Sequence, residues 1–404
     1  MDSPNLRLGR FVLPSLVTLA CTAVLGQERN PFYVGAGQAF TQESNLFRAA
    51  TEGNAAPKVS DWHSMTSLLA GVDQPIGRQR LFGDAAVRHA RYNDNIQLSH
   101  TGGNVVLGLD WSAADVLSGR LSASADRSLA RYAPDLGPGG FTALNMQNTQ
   151  EFLFRGQYGF ESLLAVEAGF VRRRLDFSAP GPEFAANEFE QDAVSLGLKY
   201  RPTGPLSIGI AVRRTEGQYH SALNNAGPDD FERDDVDLTA LWIATGQSTL
   251  TARLSRTKET HQLVTSRNLS TTTGALGWTY KPTGKLELGI DLIRDTGAEA
   301  AFGAAGAPAA DASLLSTTVQ LRAQYEVTAK IQVLASVRQQ RRELVAAQGN
   351  SGSDETLEPK LGVNWSPLRS VLVGCSFGRE KRDSTPTQSY SASYTRCLAQ
   401  LKTQ

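Results

Sequence analysis

An alternating strand pattern recurs eight times along this chain, at intervals of roughly forty residues. In each copy a segment of alternating apolar residues ends on or near an aromatic residue, a tight polar turn follows, and a second alternating segment begins. Two copies are nearly identical, Tyr200-Arg-Pro-Thr-Gly-Pro-Leu206 and Tyr280-Lys-Pro-Thr-Gly-Lys-Leu286. Such a hairpin repeat, with short turns at one end and longer loops at the other, is typical of a transmembrane antiparallel up-and-down β-barrel.

The two faces of each predicted strand differ in polarity. From Leu286 to Leu292 every second residue is Leu or Ile, whereas Glu287, Gly289 and Asp291 occupy the positions between them. A soluble β-sandwich would also alternate, but its strands cluster near five or six residues, whereas these segments run to about ten or more. The pattern therefore favours an all-β barrel with one face toward lipid and one toward a lumen.

Aromatic residues close the apolar face just before seven of the eight turns. Tyr and Trp favour the membrane–water boundary because their rings are apolar and their polar edges can stay hydrated. We therefore predict a periplasmic aromatic girdle formed by Trp111, Tyr158, Tyr200, Trp242, Tyr280, Tyr325 and Trp365. The first hairpin has Val72 in the corresponding place.

Eight turns supply sixteen strands, and segments Phe32–Phe40 and Tyr390–Leu401 add one strand at each end. The sequence predicts eighteen strands, with both termini on the side of the short turns, which is periplasmic in bacterial barrels. Sixteen strands remain the alternative if the first segment is an unpaired extension. No break in composition divides the chain, which predicts a single barrel domain over residues 27–404 in the outer membrane of a Gram-negative bacterium.

The first 26 residues have the features of a secretory signal peptide. Arg7 and Arg10 precede an apolar stretch from Phe11 to Leu25, and small residues suit cleavage before Gln27. A membrane-anchoring helix is the alternative, although the stretch is short for a span. Lipidation at Cys21 is a further alternative, but apolar residues continue past it.

Several arginines and acidic residues fall on the lumen-facing phase of the pattern. The candidates are Arg120, Arg173, Arg213, Arg253, Arg322, Arg338, Glu167 and Asp291. They could line a polar conduit that contacts an anionic solute or polymer. They could equally form lumenal ion pairs that keep the strands in register, and the sequence leaves both readings open.

Cys375 and Cys397 fall on the last two predicted strands, at equal distances from the centre of the intervening loop. In a symmetric hairpin they lie opposite each other, close enough for a disulfide. The oxidising periplasm favours that bond.

The composition restricts the function classes. Forty basic and forty acidic residues give a formal net charge of zero, which argues against a nucleic-acid partner. The five histidines show no metal-ligand spacing and no hydrolase or phosphate-loop motif occurs, so we expect neither a cofactor or metal nor an enzyme. Arg172–Arg174 lies near a predicted extracellular strand end, where it could meet lipopolysaccharide; outer-membrane lipid is the other expected contact.

The stretch Gly71-Val-Asp-Gln-Pro-Ile-Gly-Arg-Gln-Arg-Leu81, with Arg91-Tyr92, Asn95 and Leu107-Gly-Leu-Asp-Trp111, resembles a known family. It is the β-barrel porin family of exopolysaccharide biosynthesis operons, often called EpsL-like. The resemblance is specific over about Asp61 to Gly119 and architectural elsewhere. It implies an outer-membrane protein that acts with polysaccharide export machinery, and it carries no binding residue with it.

Three functions follow as hypotheses. The leading one is a conduit or scaffold for exopolysaccharide export. The second is a general diffusion porin for small hydrophilic solutes, and the third is a barrel enzyme that modifies polysaccharide or lipid. The sequence leaves the oligomeric state open.

Overall fold

The computed structural model describes residues 30–50, 57–113, 115–130, 142–159, 163–179, 182–221, 227–296, 313–345, 351–385 and 389–403. The predicted signal peptide, including Cys21, lies outside these residues and stays a prediction. Among the described residues, no helix is both long and apolar enough to cross a membrane. Short helical turns lie in loops, with α1 at Pro182–Ala185 and 3-10 turns at Ile96–Leu98 and Thr265–Arg267.

Long antiparallel strands make up nearly all of the described chain. They are β1 (Phe32–Glu43), β2 (Asp61–Ile76), β3 (Gln79–Tyr92), β4 (His100–Ala113), β5 (Leu117–Leu129), β6 (Met146–Gly159), β7 (Leu164–Phe177), β8 (Phe189–Thr203), β9 (Leu206–Tyr219), β10 (Asp229–Thr245), β11 (Ser248–His261), β12 (Leu269–Tyr280), β13 (Leu286–Asp295), β14 (Ser313–Thr328), β15 (Ile331–Val345), β16 (Ser351–Leu368), β17 (Val371–Ser384) and β18 (Tyr390–Thr403).

The sheet closes on itself. Each strand pairs with the next in sequence, and β1 pairs with both β2 and β18. The prediction of an eighteen-stranded antiparallel barrel is therefore confirmed, and the alternative of sixteen strands is wrong. Closure satisfies the backbone hydrogen bonds that an open edge would leave unpaired in lipid.

The first and last strands extend further than predicted, to Glu43 and Thr403. At the extracellular end of β1, Thr41, Gln42 and Glu43 pair with β18 although none is apolar. The predicted ends followed the apolar pattern, whereas the ladder needs only backbone groups and continues beyond the lipid-facing band. For the same reason β10 begins at Asp229, inside a segment that composition alone would assign to a loop.

The outer face is apolar and the inner face polar. On β9, Ile208, Ile210 and Val212 are 39%, 54% and 57% exposed, while Ser207 and Arg213 on the alternate phase are buried. Apolar side chains exposed over every strand are unfavourable in water and suit a lipid environment.

Side-chain hydrogen bonds help to fix the short turns. The Oγ1 atom of Thr283 accepts hydrogen bonds from the backbone N–H groups two and three residues later, at 3.3 and 3.1 Å. Thr328 does the same at 3.2 and 3.1 Å. Threonine thus stabilises the turn by local hydrogen bonds, which gives a physical reason for its occurrence in the repeated turn sequence.

Candidate functional site

The seven predicted girdle residues lie on the outer face, at the ends of strands that enter the short turns. Trp111 pairs with Gly119, Tyr200 with Ile208 and Trp365 with Val373, so they hold equivalent positions in their hairpins. The other four are Tyr158, Trp242, Tyr280 and Tyr325, and their partners are equally placed. The sequence pattern missed Trp278, which stacks on Tyr280 with ring centroids 5.5 Å apart.

Cys375 and Cys397 form a disulfide between β17 and β18. They are directly opposite in the register, with Cα atoms 4.1 Å apart. Cys375 shares its phase with Val373 and the exposed Phe377, so the bond lies on the lipid-facing side of the wall. The disulfide cross-links the two strands of the last hairpin and lies outside the lumen.

Lumenal ion pairs near the middle and periplasmic end of the barrel are open to solvent. Arg120 binds Asp110 through two hydrogen bonds of 2.5 and 2.9 Å, and its side chain is 51% exposed. Arg322 contacts Asp291 at 2.6 Å, also with 51% exposure. Lys199 contacts Glu167 at 3.2 Å. Water screens such pairs, so each contributes little to stability and its charges remain accessible from the lumen.

Two polar cavities indent this open part of the lumenal wall. One of about 420 Å³ lies on β12–β18 and is lined by residues that include Glu287, Gln320, Arg322, Gln324, Ser336, Lys360, Asn364 and Arg396. The other, of about 340 Å³, lies on β6–β12 and is lined by residues that include Glu167, Gly169, Ser195, Gly197, Lys199, Gly209, Thr239 and Thr251. Small side chains leave this space, and hydroxyl, amide and charged groups keep it polar.

The second cavity ends at a group of charged side chains and one threonine hydroxyl on β9–β13. We call this group the buried charge network; its members are Arg213, Arg233, Asp235, Asp237, Arg253, Thr257 and Asp295. Its centre is Asp235, whose side chain is fully buried. Arg213 and Arg233 each approach Asp235 at 3.0 Å, and Thr257 donates to it at 2.5 Å. Desolvated charges stay ionised inside a protein only when partners satisfy them, so these pairs depend on one another.

The predicted candidates Arg213 and Arg253 both belong to this network. Arg213 also contacts Asp237 at 3.5 Å, and Arg253 contacts Asp295 at 3.7 Å. Arg233, Asp235 and Asp295 were not predicted, although their alternating positions on β10 and β13 share the lumenal phase and could have revealed them. These lumenal arginines therefore act in structure as ion-pair partners.

A similar cluster lies on β15–β17. Arg342 and Arg382 both bind Oδ2 of the buried Asp354, at 2.7 and 2.5 Å. The predicted candidate Arg338 lies four residues before Arg342 on the same face of β15, and it donates a hydrogen bond to Gln340 at 3.3 Å. The sequence analysis did not single out Asp354 or Arg382.

The loop after β1 folds onto the lumenal wall near the extracellular end. Arg48 contacts Glu43 at 3.0 Å and the lumenal Glu380 of β17 at 3.2 Å. Burial acts to lower the pKa of Arg48, but the charges of Glu43 and Glu380 outweigh it and raise the pKa above its usual value. Leu46 of the same loop packs in a buried cluster with lumenal residues of β3.

Two further loops turn inward at the same end. Phe184 of α1 is buried and its ring lies 5.9 Å from that of Phe177 on β7. Arg267, in the loop between β11 and β12, lies over the ring of Tyr219 on β9 at 4.5 Å. The described parts of three loops thus pack against the lumenal wall at its extracellular end.

The run Arg172–Arg174 divides between the two faces of β7. Arg172 and Arg174 point outward and pair with Asp192 at 3.8 Å and Asp176 at 2.8 Å. Arg173 points into the lumen, where it is 5% exposed and lies over the ring of Phe189 at 5.6 Å. The outward pair sits where lipopolysaccharide would be, and that contact stays a prediction.

Among the described residues, no group of three or more His, Cys, Asp or Glu side chains is arranged to hold a metal ion. His261 illustrates why proximity alone is insufficient. Its Nδ1 lies 2.9 Å from Asp229 and its Nε2 lies 3.0 Å from Glu259, so both ring nitrogens are already engaged.

No protein-family model matches this chain, and no curated protein matches it either. Among solved structures it is similar to the outer-membrane protein OpdK of Pseudomonas aeruginosa crystallised with vanillate, at 12% identity and a TM-score of 0.49, covering 92% of this chain and 98% of that one. It is also similar to a BenF-like porin from Pseudomonas fluorescens Pf-5, at 12% identity and a TM-score of 0.49, covering 93% and 99%. It is similar to OpdQ of Pseudomonas aeruginosa as well, at 12% identity and a TM-score of 0.46, covering 92% of this chain and 97% of that one.

The chain is an outer-membrane β-barrel. A closed sheet, a lipid-facing apolar band, an aromatic girdle and a polar interior together fit no other environment as well.

Proposed function

We propose that this protein is a diffusion channel through which small hydrophilic solutes cross the outer membrane. This is the second of the hypotheses drawn from the sequence. The observation that carries it is the contrast along the lumen. The middle and periplasmic wall is polar and solvent-exposed, whereas the extracellular wall is packed with buried charges and inward-folded loops.

An open polar lumen favours passage of hydrated solutes over binding of one apolar ligand. Its cavities carry hydroxyl, amide and charged groups of both signs, which replace part of a solute's hydration shell. Eighteen strands give a barrel of the size that can enclose an aqueous channel. The packing at the extracellular end would set the upper size limit for a solute.

A conduit for exopolysaccharide is the second candidate, supported by the resemblance of Asp61–Gly119 to the EpsL-like family. Membership of that family remains a proposal of the same kind. A polymer needs a continuous wide path, and the inward loop at Arg48 argues for a narrower one unless that loop moves aside. Only this second candidate function requires that the protein act together with the polysaccharide export machinery.

Liposome swelling tests the diffusion channel directly. Purified mature protein in liposomes should admit arabinose and glucose quickly and the larger raffinose slowly or not at all. Planar bilayers with the same preparation should show steady ionic conductance. The absence of both swelling and conductance would contradict the proposal.

Deletion of the gene separates the two candidates in the cell. If the chain is a diffusion channel, uptake of small sugars falls and the amount of secreted exopolysaccharide stays normal. Loss of secreted polymer together with normal uptake would favour the conduit.

A further inference from the structure

We propose that Arg173 and Arg267 form a binding site for the oxyanion group, a carboxylate or a phosphate, of a small solute at the extracellular end of the lumen. The proposal deepens the proposed channel function, because the solute would reach this site through the lumen. It rests on two buried guanidinium groups and the aromatic rings beneath them.

Both arginines are buried but lack a complete set of partners. Arg173 is 5% exposed and Arg267 is 8% exposed. Within the described part of the chain, Nε and Nη1 of Arg173 and Nη1 of Arg267 have no hydrogen-bond acceptor. A buried charged donor without an acceptor is costly, so an acceptor supplied by a ligand would stabilise both groups.

An aromatic ring lies beneath the guanidinium carbon of each arginine. Arg173 lies over Phe189 at 5.6 Å and Arg267 over Tyr219 at 4.5 Å. The rings of Phe189 and Tyr219 are themselves neighbours, with centroids 5.7 Å apart and planes tilted by 53°, so the two cations lie over adjacent rings. The rings do not accept hydrogen bonds from Nε and Nη1 of Arg173 or from Nη1 of Arg267, so an oxyanion would provide the missing acceptors.

Nearby acidic groups do not neutralise these arginines. Glu151 is opposite Arg173 in the register of β6 and β7, yet no ion pair within 4.0 Å joins them in the described structure. Asp229 accepts from His261 and from backbone N–H groups of the β11–β12 loop. Neither guanidinium group has an ion-pair partner within 4.0 Å among the described residues, so an anion would supply acceptors that a neutral solute or a cation offers less well.

The site differs from the buried charge network in this respect. There each arginine contacts at least one carboxylate, whereas Arg173 and Arg267 meet aromatic rings. The structure thus provides two guanidinium groups with unfilled hydrogen bonds, each beside an aromatic ring, where the loop after β11 meets β7–β9.

Isothermal titration of the purified mature protein tests the site, with gluconate, inorganic phosphate and glucose as probes. Gluconate and glucose are close in size and differ mainly in the carboxylate. We expect gluconate, phosphate or both to bind and glucose to bind at least about tenfold more weakly. Equal binding of glucose and gluconate, or no binding of either anion, would overturn the proposal.

Substitutions locate the binding. Arg173→Gln and Arg267→Gln should each weaken anion binding by about tenfold or more. Arg172→Gln is the matched control, since Arg172 neighbours Arg173 but points to the outer face; it should change binding by less than about twofold. If Arg173→Gln does not fold, Arg173→Lys and the loop variant Arg267→Gln decide: unchanged binding in both would contradict the site.

The bilayer measurement keeps this proposal separate from the proposed function. Wild-type protein that conducts ions but binds no anion would overturn the site and leave the channel intact. Protein that binds gluconate through Arg173 but conducts nothing would support the site and contradict the channel.

Discussion

Two parts of the lumen carry the same kinds of side chain in different surroundings. Arg213 and Arg322 both face the lumen and both pair with aspartate, yet Arg213 is 3% exposed and Arg322 is 51% exposed. In the buried charge network on β9–β13 the pairs are desolvated and interlocked. At Arg322 and Asp291 water surrounds the pair, which therefore contributes little to stability.

The lumenal wall also differs along its length in what lies against it. Near the extracellular end, loops carrying Arg48, Phe184 and Arg267 fold onto the strands. Lower down, glycines such as Gly197 and Gly209 line the wall and leave space for water. One alternating pattern therefore produces a densely packed region and a solvent-exposed region in the same barrel.

The largest expected effect is on stability in the extracellular region. Asp235→Ala leaves Arg213 and Arg233 short of a partner in a desolvated site and should lower the free energy of unfolding by about 3–5 kcal/mol. Asp291→Ala, the matched change beside Arg322, should lower it by less than about 1 kcal/mol. Urea unfolding in lipid vesicles, followed by tryptophan fluorescence, measures both. Equal losses would remove the distinction between the two regions.

A covalent link supports the lower part of the last hairpin, where the ion pairs are weak. Replacing both Cys375 and Cys397 by Ser should lower the free energy of unfolding by about 3 kcal/mol, because the unfolded chain regains the freedom of a loop of 22 residues. The same vesicle assay measures this loss, and reduced wild-type protein should match the double variant. Reduced protein as stable as the oxidised form would show that the hairpin is held by other contacts.

A smaller effect on stability, but a clear one on conduction, is expected at Arg322. Arg322→Gln should shift the reversal potential in a KCl gradient toward cation selectivity, while the free energy of unfolding changes by less than about 1 kcal/mol. Arg172→Gln, on the outer face, is the control and should leave the reversal potential unchanged. An unaltered reversal potential in Arg322→Gln would indicate that ions do not pass this wall.

The barrel and the face of each strand that lines its lumen could be predicted from the sequence because they follow from local patterns. Alternation assigned Arg120 and Arg322 to the lumenal phase, and symmetry about one loop paired Cys375 with Cys397. The separation between buried and open arginines could not be predicted, because it depends on how loops fold back over the wall. Nothing near Arg48 in the sequence indicates that it meets Glu380, which lies 332 residues away.

The exposure of arginines near the strand ends could not be predicted from the sequence either. Arg172, Arg173 and Arg174 form one basic run in the sequence, and period-two alternation separates the middle residue from its neighbours. Whether Arg173 then finds a carboxylate depends on Glu151, whose position in the register is predictable and whose side-chain direction is not. The burial of Arg173 depends on how side chains pack at the extracellular end of the assembled barrel.

Thiol labelling on one strand tests the division of the lumen most directly. Thr251 and Thr257 lie on the same face of β11; Thr251 is exposed in the lower cavity, and Thr257 is buried in the charge network. In folded protein with the native disulfide intact, a water-soluble maleimide should label Thr251→Cys rapidly and Thr257→Cys only after denaturation. Labelling of both at the same rate in the folded barrel would contradict the account.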